Sequence, residues 1–214
     1  MTTRKYVPEY SLGEELINSI THGIGAGLSV VALVLCVVKA TTAGGKVSAV
    51  LYGTLLIMLY TISCIYHALS PRLRGKRVLR VIDHANVFLV VAGTYMPICL
   101  SLLDGVWGWL TFGIVWLVTI VAVVFSCVDV DRFQMIGVVC NLILGWGALL
   151  LLPVLIELVP WTGLWLLIFG GVAYSLGAIL YVVGAKVPYM HSIFHFFVLM
   201  GSILHFFFIY LYCL

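Results

Sequence analysis

The chain has 214 residues, 64% of them hydrophobic and only 9% charged, with a mean hydropathy of +1.21 and a formal net charge of +3. That composition excludes a soluble globular domain. The small charge, with no basic patch interleaved with exposed aromatics, excludes a nucleic-acid partner.

Spanning about 30 Å of hydrocarbon takes roughly 20 apolar residues as helix, whereas a barrel would show short alternating segments. Seven runs of the helical kind stand at about 16–39, 46–69, 82–103, 106–127, 134–156, 161–184 and 189–212. The links are short, so consecutive helices return antiparallel and leave no room for a second domain. The expectation is an all-α integral membrane bundle of seven transmembrane helices: a single domain over 1–214, with 1–15 as a short N-terminal surface segment.

In chain order, Pro8 and then Ser11-Leu12-Gly13-Glu14 form a Ser-x-x-Glu capping box, which predicts a helical lead-in at the membrane surface. The first run opens with Glu14 and Glu15 and is too long for a cleavable signal peptide, so it is expected to stay as a helix. It carries Asn18 and His22, beside Gly23, Gly25 and Gly27, which favour close helix approach. The second run carries Ser63 and His67 just before Ser70-Pro71. A basic link follows (Arg72, Arg74, Lys76, Arg77, Arg80), and the third run starts with Asp83, His84 and Asn86 and contains Pro97, a candidate kink. The last run is opened by Pro188 and holds His191, His195 and His205. The six cysteines show no CxxC spacing and fall mostly in apolar runs, which predicts neither a disulfide framework nor a thiolate zinc site.

With a cytoplasmic N-terminus, nine of the eleven basic residues face the cytoplasm: Arg4, Lys5, the five of the basic link, Arg132 and Lys186. Only Lys39 and Lys46 lie outside, the asymmetry of the positive-inside rule. The C-terminus is then outside, and Trp107, Trp109, Trp161, Trp165, Tyr210 and Tyr212 form an outer aromatic belt. In this topology five of the six histidines share one level near the cytoplasmic leaflet, and the outer half is apolar. His205 alone lies about 15 Å further along the last helix.

Residues at i and i+4 share a helix face, so His191 with His195, and Ser63 with His67, each point one way. Polar groups facing lipid are costly, which turns these pairs inward. Three imidazoles on two helices suit Zn²⁺, which in catalytic sites often has three protein ligands and one water. The nominated ligands are His67, His191 and His195. Zinc lowers the pKa of a bound water towards 7, Asp83 is the candidate general base, and Ser63 the candidate orienting group. HExxH proteases keep their base between the histidines; here Ser192, Ile193 and Phe194 fill that place, so a base must come from another helix.

Blander readings stand beside each of these. A His-x-x-x-His pair arises by chance on helices, Asp83 can pair with Arg80, and Ser63 can bond its own i−4 carbonyl. His84 points about 100° away from Asp83, as an interfacial histidine would. His22, with Asn18 and Glu15, can serve helix packing or support the ligands.

The segments EELINSITHGIG (14–25), SCIYHAL (63–69), RVIDHANVFLVVAGTYMP (80–97) and PYMHSIFHFFVLMGSILHF (188–206) resemble the haemolysin III family. That family is the bacterial branch of the progestin and adipoQ receptors and a distant relative of the alkaline ceramidases. The resemblance implies a bacterial inner-membrane protein with zinc held by His67, His191 and His195 near the cytoplasmic side, and Ser63 and Asp83 at the family's serine and aspartate positions. Glu15, Asn18 and His22 match its first-helix pattern. Three functions stay open: a zinc-dependent hydrolase of lipid amide or ester bonds acting in membrane homeostasis, a cytolytic pore, and a lipid sensor with structural zinc. A pore needs a polar lining through the whole bilayer.

Overall fold

The computed structural model describes residues 10–103, 105–184 and 186–214. Arg4, Lys5 and Pro8 of the sequence reading fall outside these residues. The described chain is helical, with eight α-helices: α1 (Leu12–Lys39), α2 (Ala43–Ala68), α3 (Arg74–Pro97), α4 (Val106–Val128), α5 (Val130–Trp146), α6 (Leu152–Leu158), α7 (Trp161–Val183) and α8 (Met190–Phe208). Seven spans are long and apolar enough to cross a membrane, α5 and α6 forming one of them. The chain is an integral membrane protein.

The capping box forms. Ser11 Oγ accepts from the Glu14 amide, and the Glu14 carboxylate accepts from the Ser11 amide at 2.8 Å. It opens α1 itself, which runs unbroken to Lys39, so no separate lead-in intervenes between box and span.

α3 is the central helix, with 67% of its spanning window buried against at most 44% for any other span. It packs on α2, α4 and α5, while α1 lies against α2 and α8, and α7 against α8. α3 begins at Arg74, well before the apolar run, so most of the expected basic link is helix. Lys76 and Arg80 can be helical and buried because each meets a carboxylate: Lys76 reaches Glu15, and Arg80 meets Asp131 at 2.6 Å. Hydropathy weighs each charge alone and is blind to such pairs.

Two spans change pitch where the sequence has breakers. Pro97 lacks an N–H and crowds the preceding turn. The chain beyond it widens into a π-helical turn over Ile98–Leu102, with Leu103 N bonding Ile98 O at 2.8 Å. Gly147–Leu151 is a 3₁₀ turn between α5 and α6, and Pro153 sits in the first turn of α6, where its missing donor costs nothing.

Trp107, Trp109, Trp161 and Trp165 are exposed, as belt residues would be. Of the three glycines beside His22, only Gly25 is needed for close packing. A Cβ there would come 2.5 Å from the Tyr60 ring, whereas one on Gly27 would meet nothing within 4 Å.

Candidate metal centre

The site forms at the end of the bundle that carries Tyr10, where α1 and α8 start and α2 ends. His67 is the penultimate residue of α2, and His191 and His195 occupy the first two turns of α8. Candidate ligand atoms of the three histidines all lie within 4.8 Å of one another. His191 Nε2 and His195 Nε2 are 3.1 Å apart. Nitrogens at two corners of a tetrahedral zinc site, with bonds of about 2.0–2.1 Å, stand about 3.3 Å apart, so one edge already has the spacing of a shared ion. His67 Nε2 is buried without a hydrogen-bond partner among the described residues. A buried imidazole nitrogen without a partner, on a ring that lies 5.3 Å and 4.9 Å from two other imidazoles, fits a divalent cation, and these residues can hold one.

The helix that supports them is α1. Glu15, Asn18 and His22 follow at i, i+3 and i+7, one stripe of a helix face, and all three are buried. Glu15 Oε2 accepts from His67 Nδ1 at 2.7 Å, and the Asn18 amide lies 3.4 Å from the same nitrogen. His22 stacks on His195 with ring centroids 3.7 Å apart. The neighbouring carboxylate, Glu14, accepts from the Tyr189 amide at 2.7 Å. Tyr189 is a non-glycine residue at φ 62°, a costly conformation at the cap of the ligand-bearing α8. Adjacent glutamates on α1 thus reach α8 and α2, the two helices that carry the histidines.

Asp83 on α3 lies within reach of the Ser63 hydroxyl and of His67 and His84. Thr21, Ser29, Thr94, Ser126 and Ser175 each donate to their own i−4 carbonyl; Ser63 instead faces Asp83. Arg80 meets Asp131 of α5 at 2.6 Å and is also close enough to Asp83 to act on its carboxylate electrostatically.

Asp83, Ser63, His191 and His195 line one end of a largely apolar cavity of about 230 Å³. Its walls come from α3, α5, α7 and α8, and it extends past Val91 and Ile168 to His205. His84 lines the cavity, with Nδ1 2.8 Å from Arg80 O and Nε2 3.1 Å from the Tyr181 hydroxyl. Midway along the bundle, Tyr60 and Tyr174 each share a 2.7 Å hydrogen bond with Ser202. Hydrogen-bonded to one another, these hydroxyls are cheap to bury, which scattered positions along a sequence do not reveal.

Tyr10 is a contributor that sequence reasoning missed. It stacks on His191 at 4.8 Å and tilts against His67 at 5.8 Å, covering the histidines from outside the bundle. Burial pushes its hydroxyl well above the ordinary tyrosine pKa, so it stays protonated. Nothing distinguishes this tyrosine in the sequence except its place directly before the Ser11 cap.

The family profile described as Haemolysin-III related matches residues 10–206. Hemolysin-3 of Bacillus cereus is 37% identical over 205 residues, 94% of this chain and 92% of its own. The Hemolysin-3 homolog of Bacillus subtilis (strain 168) is 35% identical over 95% of this chain and 96% of its own. The Monocyte to macrophage differentiation factor of Homo sapiens is 23% identical over 93% of this chain and 84% of its own. No solved structure matches the chain.

Proposed function

The chain belongs to the haemolysin III family, and from that premise we propose that it is a zinc-dependent intramembrane hydrolase cleaving an amide or ester bond of a membrane lipid. The observation that carries this reading is the convergence of three imidazoles, two of which, His191 and His195, line one end of an apolar cavity together with Asp83 and Ser63. His67, His191 and His195 would hold the ion. Zinc supplies a Lewis acid and acidifies water near neutral pH.

The remaining work falls to the chain. The cavity between α3, α5, α7 and α8 takes an acyl chain and keeps bulk water away. Asp83 accepts the proton of the attacking water and returns it to the leaving nitrogen or oxygen, so the products are a fatty acid and an amine or alcohol. Ser63 orients the carbonyl by hydrogen bonding, and the protonated Tyr10 hydroxyl is held above the histidines as a donor. We place the N-terminus in the cytoplasm on the distribution of basic residues; Lys76 and Arg80, though buried, lie at the same end of the bundle as Arg72, Arg132 and Lys186.

Zinc content and fatty-acid release from lipid amides and esters test the proposal on purified wild-type protein and Asp83→Asn. One zinc per chain with turnover lost in the variant supports it. Equal zinc and no turnover by the wild type on any lipid refutes the enzyme and leaves the sensor. Liposome leakage that persists in a His67→Ala/His191→Ala variant would favour a cytolytic role.

A further inference from the structure

Lys76 is fully buried, although it stands in the most basic stretch of the chain and carries a flexible, strongly hydrated cation. Its ammonium bonds Glu15 Oε1, donates to the Leu69 carbonyl at 2.9 Å and lies 5.1 Å from the centre of the Tyr66 ring. One cation from α3 thus ties the first turns of α1 to the last turn of α2. The other oxygen of the same carboxylate, Glu15 Oε2, faces His67 Nδ1.

An ionised carboxylate can only accept a hydrogen bond, so the proton of the neutral His67 imidazole sits on Nδ1 and the lone pair on Nε2. Nε2 is the nitrogen left buried without a partner. We propose that Lys76 and Glu15 are positioning residues: Lys76 holds the Glu15 carboxylate, which in turn holds His67 in the tautomer and ring orientation that a divalent cation requires. The inference rests on the metal reading of the three histidines and deepens it. Carboxylates behind ligating histidines fix tautomer and raise ligand basicity in this way. The distinctive element here is the buried cation behind the carboxylate. It explains why an acid stands in the first turns of a membrane span, and why a lysine is drawn out of water into the gap between α1 and α2.

The test uses the purified full chain with Zn²⁺ and Co²⁺ as probes. Zinc affinity is measured by competition with a chromophoric chelator for wild type, Glu15→Gln, Lys76→Met and the double variant, and the visible spectrum of each cobalt-loaded protein is recorded. Glu15→Gln is expected to weaken zinc binding by about 10–100-fold, and Lys76→Met to weaken it in the same direction with a changed cobalt spectrum. Because Lys76 acts through Glu15, the double variant binds zinc no more weakly than Glu15→Gln alone. It also leaves no lone buried charge, so its folding does not confound the comparison. Zinc affinity and cobalt spectrum both unchanged in Lys76→Met, whatever its thermal stability, would overturn the proposal, as would losses that multiply in the double variant. A wild-type protein that takes up no metal would overturn the hydrolase reading as well; one zinc bound equally by all four proteins overturns this inference alone.

Discussion

The imidazole of His22 lies flat on that of His195, ring centroids 3.7 Å apart and planes 20° from parallel. The same His22 ring stands perpendicular to that of Tyr60 with centroids 5.0 Å apart, and neither of its nitrogens has a hydrogen-bond partner among the described residues. Its contribution to the fold is therefore the volume of a flat ring, and its two polar atoms are a burden there. His22→Phe is expected to keep the metal-free protein at or above wild-type stability, while His22→Ala removes the stack and costs about 2 kcal/mol or more. Thermal unfolding of the two variants checks this. If His22→Phe keeps stability and zinc content but loses turnover, the ring nitrogens contact substrate, since His22 also lines the cavity.

Metal removal follows from the same cluster. An ion bound by the folded state alone stabilises it by about 2.7 kcal/mol at a hundred times Kd, and about 1 kcal/mol moves Tm by roughly 2–4 °C in a chain of this size. Zinc added to chelator-treated protein is expected to raise Tm by several degrees. The rise should vanish in His67→Ala and His191→Ala, because the candidate ligand set draws on both α2 and α8. A rise that survives both substitutions would place the zinc elsewhere.

The seven spans are legible in the sequence because each needs only a long apolar run, and the histidine trio because helical spacing and shared depth bring His67 to the level of His191 and His195. What stays hidden depends on partners far away in the chain. Lys76 and Arg80 look like parts of a solvated link until Glu15 and Asp131 are seen beside them. The partner of His84 Nε2 is Tyr181, 97 residues later, which no local pattern announces. Tyr10 carries no motif, and its role comes entirely from being stacked on His191. The pitch changes after Pro97 and around Gly147 have local breaker signals, but residue type alone does not decide between a kink, a π turn and a 3₁₀ turn.

The cavity offers a test of substrate class that leaves the metal alone. Ala178 on α7 lines it, away from the three candidate histidine ligands in sequence and on a different helix. A phenyl group in its place would occupy space that an acyl chain needs. Blocking one methylene contact is worth about 1–3 kcal/mol, so Ala178→Phe is expected to lower kcat/KM on long-chain lipid amides roughly ten-fold or more, with less effect on short-chain substrates and none on zinc content. Equal losses across all chain lengths would argue against an acyl chain in this cavity.

The packing of α1 on α2 sets how closely the Glu15, Asn18 and His22 stripe approaches His67, and one atom tests it. A Cβ on Gly25 would stand 2.5 Å from Tyr60 Cδ1 and 2.8 Å from Cε1, and Tyr60 is fully buried, with its hydroxyl bonded to Ser202. The ring cannot swing away without breaking that bond, so Gly25→Ala must push the helices apart. Overpacking of this kind costs about 1–3 kcal/mol. Gly27, two residues further and on another face of α1, faces open space, and alanine there gains the helix propensity that glycine lacks, about 0.8–1.0 kcal/mol. Gly25→Ala is therefore expected to lower Tm and weaken zinc binding together, while Gly27→Ala leaves zinc binding intact and raises Tm slightly. Zinc affinity that is unchanged in a destabilised Gly25→Ala protein would show that the α1 stripe supports the fold without setting the geometry at His67.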